Sequence, residues 1–249
     1  MAGHSKFKNI MHRKGAQDKK RAKIFSRLGK EISVSVKVGG SDPDSNIRLR
    51  SAINSAKALN MPKENIDRAI KKGQGNDPDS NYEEVRYEGY GPSGIAIIVE
   101  AMTNNKNRTA AEIRSTFGKF GGNLGESGSV SYGFKRQGEI LLDKSLVGEE
   151  VLFDFLLNNG SEDFEINQDE YLIYCDSNDL NSLNEKIISK FGQTRSSSLI
   201  WRSKNSVSVD RDSADKLFKL LNSLEDNEDV QNVSSNFEVS EEILQTLTN

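Results

Sequence analysis

The hydrophobic period changes once along these 249 residues, and that change constrains the fold more than any other feature. Before Gly73 apolar side chains recur every three or four positions: Ile24, Leu28, Ile32 and Val36, then Leu49, Ile53 and Ala56, then Ile66, Ala69 and Ile70. That spacing gathers them on one side of a helix. After Ser80 they alternate, as in Val85, Tyr87 and Gly89, or run together, as in residues 95–99, which is the pattern of strands. Residues 73–80, GQGNDPDS, have the glycine, proline and acid content of a linker. The fold class expected is therefore α+β multidomain, with an N-terminal all-helical module at residues 1–75.

Within that module Ile32, Val34, Val36 and Val38 alternate, which alone is a strand signal. The four-residue recurrence from Ile24 to Val36 and the Gly39-Gly40 stop favour a helix from Ala22 to about Val38. A polar turn at 41–45 and the break at Met61-Pro62 set off two more helices, with Pro62 at the first helical position and Gly73 ending the last. Beyond the linker, residues 81–134 read strand, strand, helix, strand. Thr109-Ala110-Ala111-Glu112 forms a capping box, Ile113, Phe117 and Phe120 an inner face, and Val130, Tyr132 and Phe134 an alternating strand. A second such order occupies 135–204, with strands near 139–142, 164–166, 171–175 and 198–201 and helices over 146–157 and 179–191. The last group, around 207–237, lacks a complete sheet. Two α+β sandwich domains follow, one inserted in the other: residues 81–134 with 205–249, interrupted by 135–204.

Charge divides along the same line. Residues 1–75 hold 18 Lys and Arg against 6 Asp and Glu, whereas the remainder holds 16 against 31. The formal net charge of −3 conceals that division. Residues 1–30 alone carry ten cations and one acid, Asp18. Crowded cations repel one another and gain nothing from burial, so such a stretch is kept where polyanionic phosphate neutralises it, or else is a solvated face. Phe7, His4 and His12 inside the run add rings able to stack on bases, and Ile24, Phe25 and Leu28 dock its far end on a core. The candidate nucleic-acid-binding residues are Lys6, Lys8, His12, Arg13, Lys14, Gln17, Lys19, Lys20, Arg21 and Lys23. On a helix, Arg13, Gln17, Lys20 and Arg21 step by three or four toward Ile24, so they are expected near one phosphate track.

No catalytic, cofactor-binding or metal-binding residue is expected, and neither a cofactor nor a small-molecule substrate. Gly89-Tyr90-Gly91-Pro92-Ser93-Gly94 matches a dinucleotide-phosphate pattern, but the apolar strand at 95–99 follows where that motif needs a helix, so the segment reads as a hairpin turn. No P-loop, nucleophile elbow, cysteine pair or H-E-x-x-H is present. The acid pairs Glu149-Glu150 and Glu241-Glu242 read as solvated surface. The small-residue loop at 123–129 could bring backbone amides to a phosphate, although plain loop geometry is favoured. Cys175 lies in an alternating run and reads as buried strand packing. No apolar run approaches a membrane span, no secretory signal pattern opens the chain, and a cytoplasmic location with no membrane partner is expected.

Spaced blocks carry a resemblance. Met1-Ala2-Gly3-His4-Ser5-Lys6, His12-Arg13-Lys14, Gln17-Asp18, Lys20-Arg21, Gly39-Gly40, Asn46 with Arg48-Leu49-Arg50, and Asn60-Met61-Pro62 are followed by Tyr87-Glu88-Gly89-Tyr90-Gly91-Pro92, Asn105 to Thr109, Gly121 to Ser129, and Asp229 to Val233 with Asn236-Phe237. Together they resemble the YebC/PmpR family, which also includes mitochondrial translational activators of cytochrome c oxidase. The resemblance implies one helical and two α+β domains and a nucleic-acid-binding regulator without a known catalytic centre. Some members are described as DNA-binding transcriptional regulators. Others act on the ribosome and assist translation through proline-rich stalls, so DNA and ribosomal RNA both stand as partners.

Overall fold

The computed structural model describes residues 17–75, 81–167 and 169–240, with side chains from Arg21 onward. The elements run, in chain order, α1 (Gln17–Gly39), α2 (Ile47–Ala58), α3 (Lys63–Gln74), β1 (Glu83–Tyr90), β2 (Ala96–Thr103), α4 (Lys106–Lys119), β3 (Asn123–Leu124) and β4 (Phe134–Asp143). Then come α5 (Glu149–Leu157), β5 (Ser161–Ile166), β6 (Glu170–Asp176), α6 (Leu180–Phe191), β7 (Ser196–Ser203), β8 (Val207–Ser208), α7 (Arg211–Asp226), β9 (Val230–Ser235) and β10 (Phe237–Glu238). The α+β multidomain class expected from the sequence is the class observed. The described residues fall in two compact units: those of 17–27, 81–135 and 201–240 in one, and those of 28–75 and 136–200 in the other.

In the first unit β1, β2, β3 and β9 form an antiparallel sheet in the order β3-β1-β2-β9. Successive β2 residues face opposite sides, which explains its unbroken apolar run. Ile97 and Val99, with Ile95 just before the strand, pack on Ile113 and Phe117 of α4 and on Leu217, Leu221 and Leu224 of α7, while Ala96 and Ile98 pack on Val130 and Phe134. Pro92–Gly94 is a short 3-10 turn between β1 and β2, with positive φ at Ser93 and Gly94. A strand follows the glycine pattern, as a hairpin requires.

Two expectations in this unit are corrected. Helix α4 opens at Lys106, where the Asn105 side chain accepts the Arg108 N–H at 3.1 Å. Thr109 is therefore not a cap but a buried residue of the first turns, whose hydroxyl donates to Asp229 at 2.8 Å. The Asp229 carboxylate attracts this threonine because it also gathers the Thr103 hydroxyl and the Arg108 guanidinium, at 3.1 and 2.7 Å. Tyr132 lies in a 3-10 turn, Ser131–Gly133, and is 73% exposed, so the strand begins only at Phe134.

The second unit holds the sheet β5-β6-β4-β7, with α5 and α6 packed through Leu152, Leu156, Leu183 and Ile187 onto Ile140, Leu142, Tyr171, Ile173 and Cys175. The helices of residues 28–75 also belong to it. In α1 the five residues 32–36 are all buried, which is why periodicity there is ambiguous. Gly40 ends the helix at φ +87°, and Asn46 ties the two helices together. Its amide donates to the Ser35 and Gly40 carbonyls at 2.7 and 2.8 Å, while its oxygen accepts the Leu49 N–H at 3.0 Å. Helix α2 closes through Asn60 at φ +56°, a left-handed cap that asparagine tolerates. Pro62 is the residue before α3, not its first turn. Gly73 does not end α3 but lies buried within it, where a Cβ would come 2.7 Å from Val36 Cβ and run into the Ser33 carbonyl. A close helix crossing, not a stop, requires this glycine. The rest of the expected linker, residues 76–80, lies outside the described residues.

Candidate nucleic-acid interface

The basic stretch enters the structure as the first turns of α1. Lys6, Lys8, His12, Arg13 and Lys14 lie outside the described residues, and Gln17, Lys19 and Lys20 are described as helical backbone only. Arg21 and Lys23 are the candidates whose side chains are placed. Arg21 is exposed, its guanidinium carbon 5.4 Å from the centre of the Phe25 ring. Lys23 instead donates from Nζ to Asp226 Oδ1 at 3.0 Å, and Arg27, one turn on, donates from Nη2 to the Glu225 carbonyl at 2.6 Å.

The docking partner is the C-terminal end of α7, where the helix dipole and the Glu225 and Asp226 carboxylates present negative charge to the two cations. Burial pulls the Arg27 guanidinium below its ordinary value against the opposing fields of Glu225 and Asp226. It still remains charged at neutral pH, as guanidinium does in proteins. Two residues along a helix turn through roughly 200°, so Arg21 and Lys23 point to nearly opposite sides. The structure thus separates these candidates: Lys23 belongs to the side that docks on α7, and Arg21 to the other.

The loop at 123–129 is not an open cradle for phosphate. Glu88 lies beneath its far end with a fully buried side chain, and its Oε2 accepts the Val130 and Ser131 N–H groups, each at 2.9 Å. Arg86 Nε lies 3.0 Å from the other carboxylate oxygen. Burial would push the Glu88 carboxyl up, but hydrogen bonds from the Val130, Ser131 and Gly128 amides, with the Arg86 charge, hold it below the ordinary value. An internal anion already fills the nest. Sequence reasoning did not see this, because nothing local pairs Glu88 with residues forty positions on.

Among the described residues no group of three or more His, Cys, Asp and Glu could hold a metal ion, and no helix is long and apolar enough to cross a membrane. A shallow polar cleft in the second unit is lined by Ser51, Asn54, Asn184, Thr194 and Arg195. Its one cation is spoken for: Arg195 pairs with Glu170 at 3.1 Å and with Asp143 at 2.5 Å.

A basic leading helix followed by two sheets covered by helices defines a multidomain α+β protein. The chain belongs to the TACO1/YebC family: residues 5–76 match the TACO1/YebC protein N-terminal domain and residues 82–237 the TACO1/YebC second and third domain. It is also similar to the crystal structure of a conserved hypothetical protein from Aquifex aeolicus. The two are 44% identical with a TM-score of 0.84, over 90% of this chain and 93% of that one.

Proposed function

We propose that this protein is a non-catalytic, cytoplasmic, nucleic-acid-binding regulator of gene expression, and that it acts as a DNA-binding transcriptional regulator. The observation that carries the reading is the concentration of ten cations against Asp18 alone in residues 1–30, on a chain whose remainder is acidic. Phosphate neutralisation by Lys6, Lys8, Arg13, Lys14, Lys19, Lys20 and Arg21 supplies the affinity, with His12 and Gln17 as polar neighbours. In this reading the chain has three domains, residues 1–75, residues 81–134 with 205–249, and residues 135–204. The pairing of β9 with β2 supports the discontinuous middle one.

The acidic remainder favours a second reading, a ribosome-associated translation factor that binds ribosomal RNA and relieves stalling at proline-rich sequences. A cationic element fits folded RNA by shape and phosphate, and an acidic body suits basic protein neighbours. In-cell crosslinking of the full chain, followed by sequencing of the bound nucleic acid, separates the two. Enrichment of promoter DNA is the expected result. Enrichment of ribosomal RNA replaces the first reading with the second, and recovery of neither overturns both.

A further inference from the structure

Five of the large apolar side chains exposed among the described residues lie within one short stretch: Leu146, Val151, Phe153, Leu157 and Ile166. Helix α5 buries Leu152 and Leu156 in its own core, while Phe153 and Leu157, one turn apart, form a stripe on its outer side, 45% and 66% exposed. The Phe153 ring lies 5.9 Å from that of Phe164 on β5, which extends the apolar surface toward Ile166 two residues along the same strand face. Strand β5 is the outermost strand of its sheet. The charge beside the stripe on α5 is negative, while cations lie further off: Lys144 Nζ is 3.4 Å from the Asn167 carbonyl, beyond Ile166, and Lys190 lies over the Phe155 ring on the other side of the helix. Glu150 and Asp154 flank the stripe on α5, whereas Asp163 and Glu165 alternate with Phe164 and Ile166 and so face the other side of the β5 sheet.

We propose that this face docks a basic amphipathic helix of a partner protein, with the partner's apolar residues on Phe153, Leu157 and Ile166 and its Lys or Arg residues against the flanking carboxylates. The exposed Glu150 and Asp154 beside the stripe favour that occupant over the others. A second copy of the same face would bring like charges together, and nucleic acid would be repelled, so this surface is distinct from the amino-terminal interface. Strand addition at β5 is opposed because Asp163 Oδ1 already accepts the Phe164 N–H at 2.9 Å and the edge is irregular between Ser161 and Asp163. A helix needs only side chains from its host, and the i, i+4 spacing of Phe153 and Leu157 matches the ridge a second helix presents.

The test uses the full chain and two labelled synthetic peptides of identical Leu and Lys composition, one in amphipathic helical order and one scrambled. Fluorescence anisotropy should show the ordered peptide binding one to one, with the scrambled peptide about tenfold weaker. Leu157→Lys should weaken the ordered peptide about tenfold, and Glu150→Gln with Asp154→Asn should weaken it and flatten its salt dependence. These side chains are exposed, so melting temperature and nucleic-acid binding should stay as in the parent chain. Equal binding of the two peptides, or no response to Leu157→Lys, would overturn the proposal. So would a dimer of the chain alone, seen by sedimentation and abolished by Leu157→Lys, which would assign the face to a second copy.

Discussion

Lys23 donates to Asp226 at 3.0 Å across 203 residues of sequence, so one cation of the basic stretch is held by the fold itself. Its neighbour in sequence, Arg21, is exposed on the other side of the helix. Arg21→Ala should therefore weaken duplex binding several-fold, on the scale of about 1 kcal/mol for a lost charge-assisted phosphate contact, and Lys23→Ala by clearly less. Asp226→Asn should strengthen binding slightly by removing a competing carboxylate. Anisotropy titrations of the three variants at one salt concentration check the order.

Asp229 is the hub of the first unit, since one carboxylate oxygen accepts from Thr103, Thr109 and Arg108 and the main-chain oxygen accepts the Met102 N–H at 2.8 Å. Asp229→Ala removes the acceptor that Thr103, Thr109 and Arg108 share, leaving Thr109 the Asn105 carbonyl at 3.1 Å. The expected loss is about 2 to 4 kcal/mol, measured by urea unfolding. Thr109→Val should cost less, because it removes a donor and leaves the acceptor its other partners.

Gly73→Ala places a methyl against Val36 and the Ser33 carbonyl, where α1 and α3 cross. Overpacking of this kind costs about 1 to 3 kcal/mol. Gly133→Ala, where a Cβ meets nothing within 4 Å, should be nearly neutral. Thermal melts of the two variants distinguish a glycine required by packing from one that is not.

Three carboxyls are held below their ordinary values. Ser145, through its amide and then its hydroxyl, and next Arg195 bring Asp143 to about 2; Ser213, through its amide and then its hydroxyl, lowers Asp210; the loop amides lower Glu88 against its burial. The unfolded chain binds these protons at higher pH than the folded one. Their contribution is thus complete above the ordinary carboxylate range and is lost as pH falls toward about 2. Unfolding midpoints should be flat from neutral pH to about 5 and drop below about 4, and Asp143→Asn should reduce the steepness of that drop. In the opposite direction, burial raises the Cys175 thiol to about 11, so it should react with thiol reagents only on unfolding.

Local signals were legible where one element suffices to produce them. The recurrence of Ile24, Leu28, Ile32 and Val36, the left-handed stop at Gly40 and the apolar run at 95–99 all correspond to the elements observed. Failures occurred where a distant partner decides the role of a residue. Thr109 resembles a cap until Asp229 is placed beside it, and Gly73 resembles a stop until α1 crosses it. Cation density was readable from composition, but which cations dock on the fold was not. The Glu225-Asp226 end of α7 carries no sequence mark linking it to Lys23 and Arg27.

The central claim is that the amino-terminal cations, and not the acidic body, bind nucleic acid. Its most direct test compares Arg13→Ala with Arg21→Ala, as one double variant, against Lys216→Ala with Lys219→Ala, by titrating duplex DNA and structured RNA across a salt series. The parent chain should lose on the order of a thousandfold in affinity between about 50 and 200 mM salt if about six phosphates are neutralised. The first double variant should bind a few kcal/mol more weakly, counting about 1 to 3 for each lost contact, with a shallower salt slope and an unchanged melting temperature. The second, in which Lys219 already pairs with Asp215 at 2.7 Å, should bind as the parent does. Equal losses from the two pairs at unchanged stability, or an affinity insensitive to salt, would contradict the account.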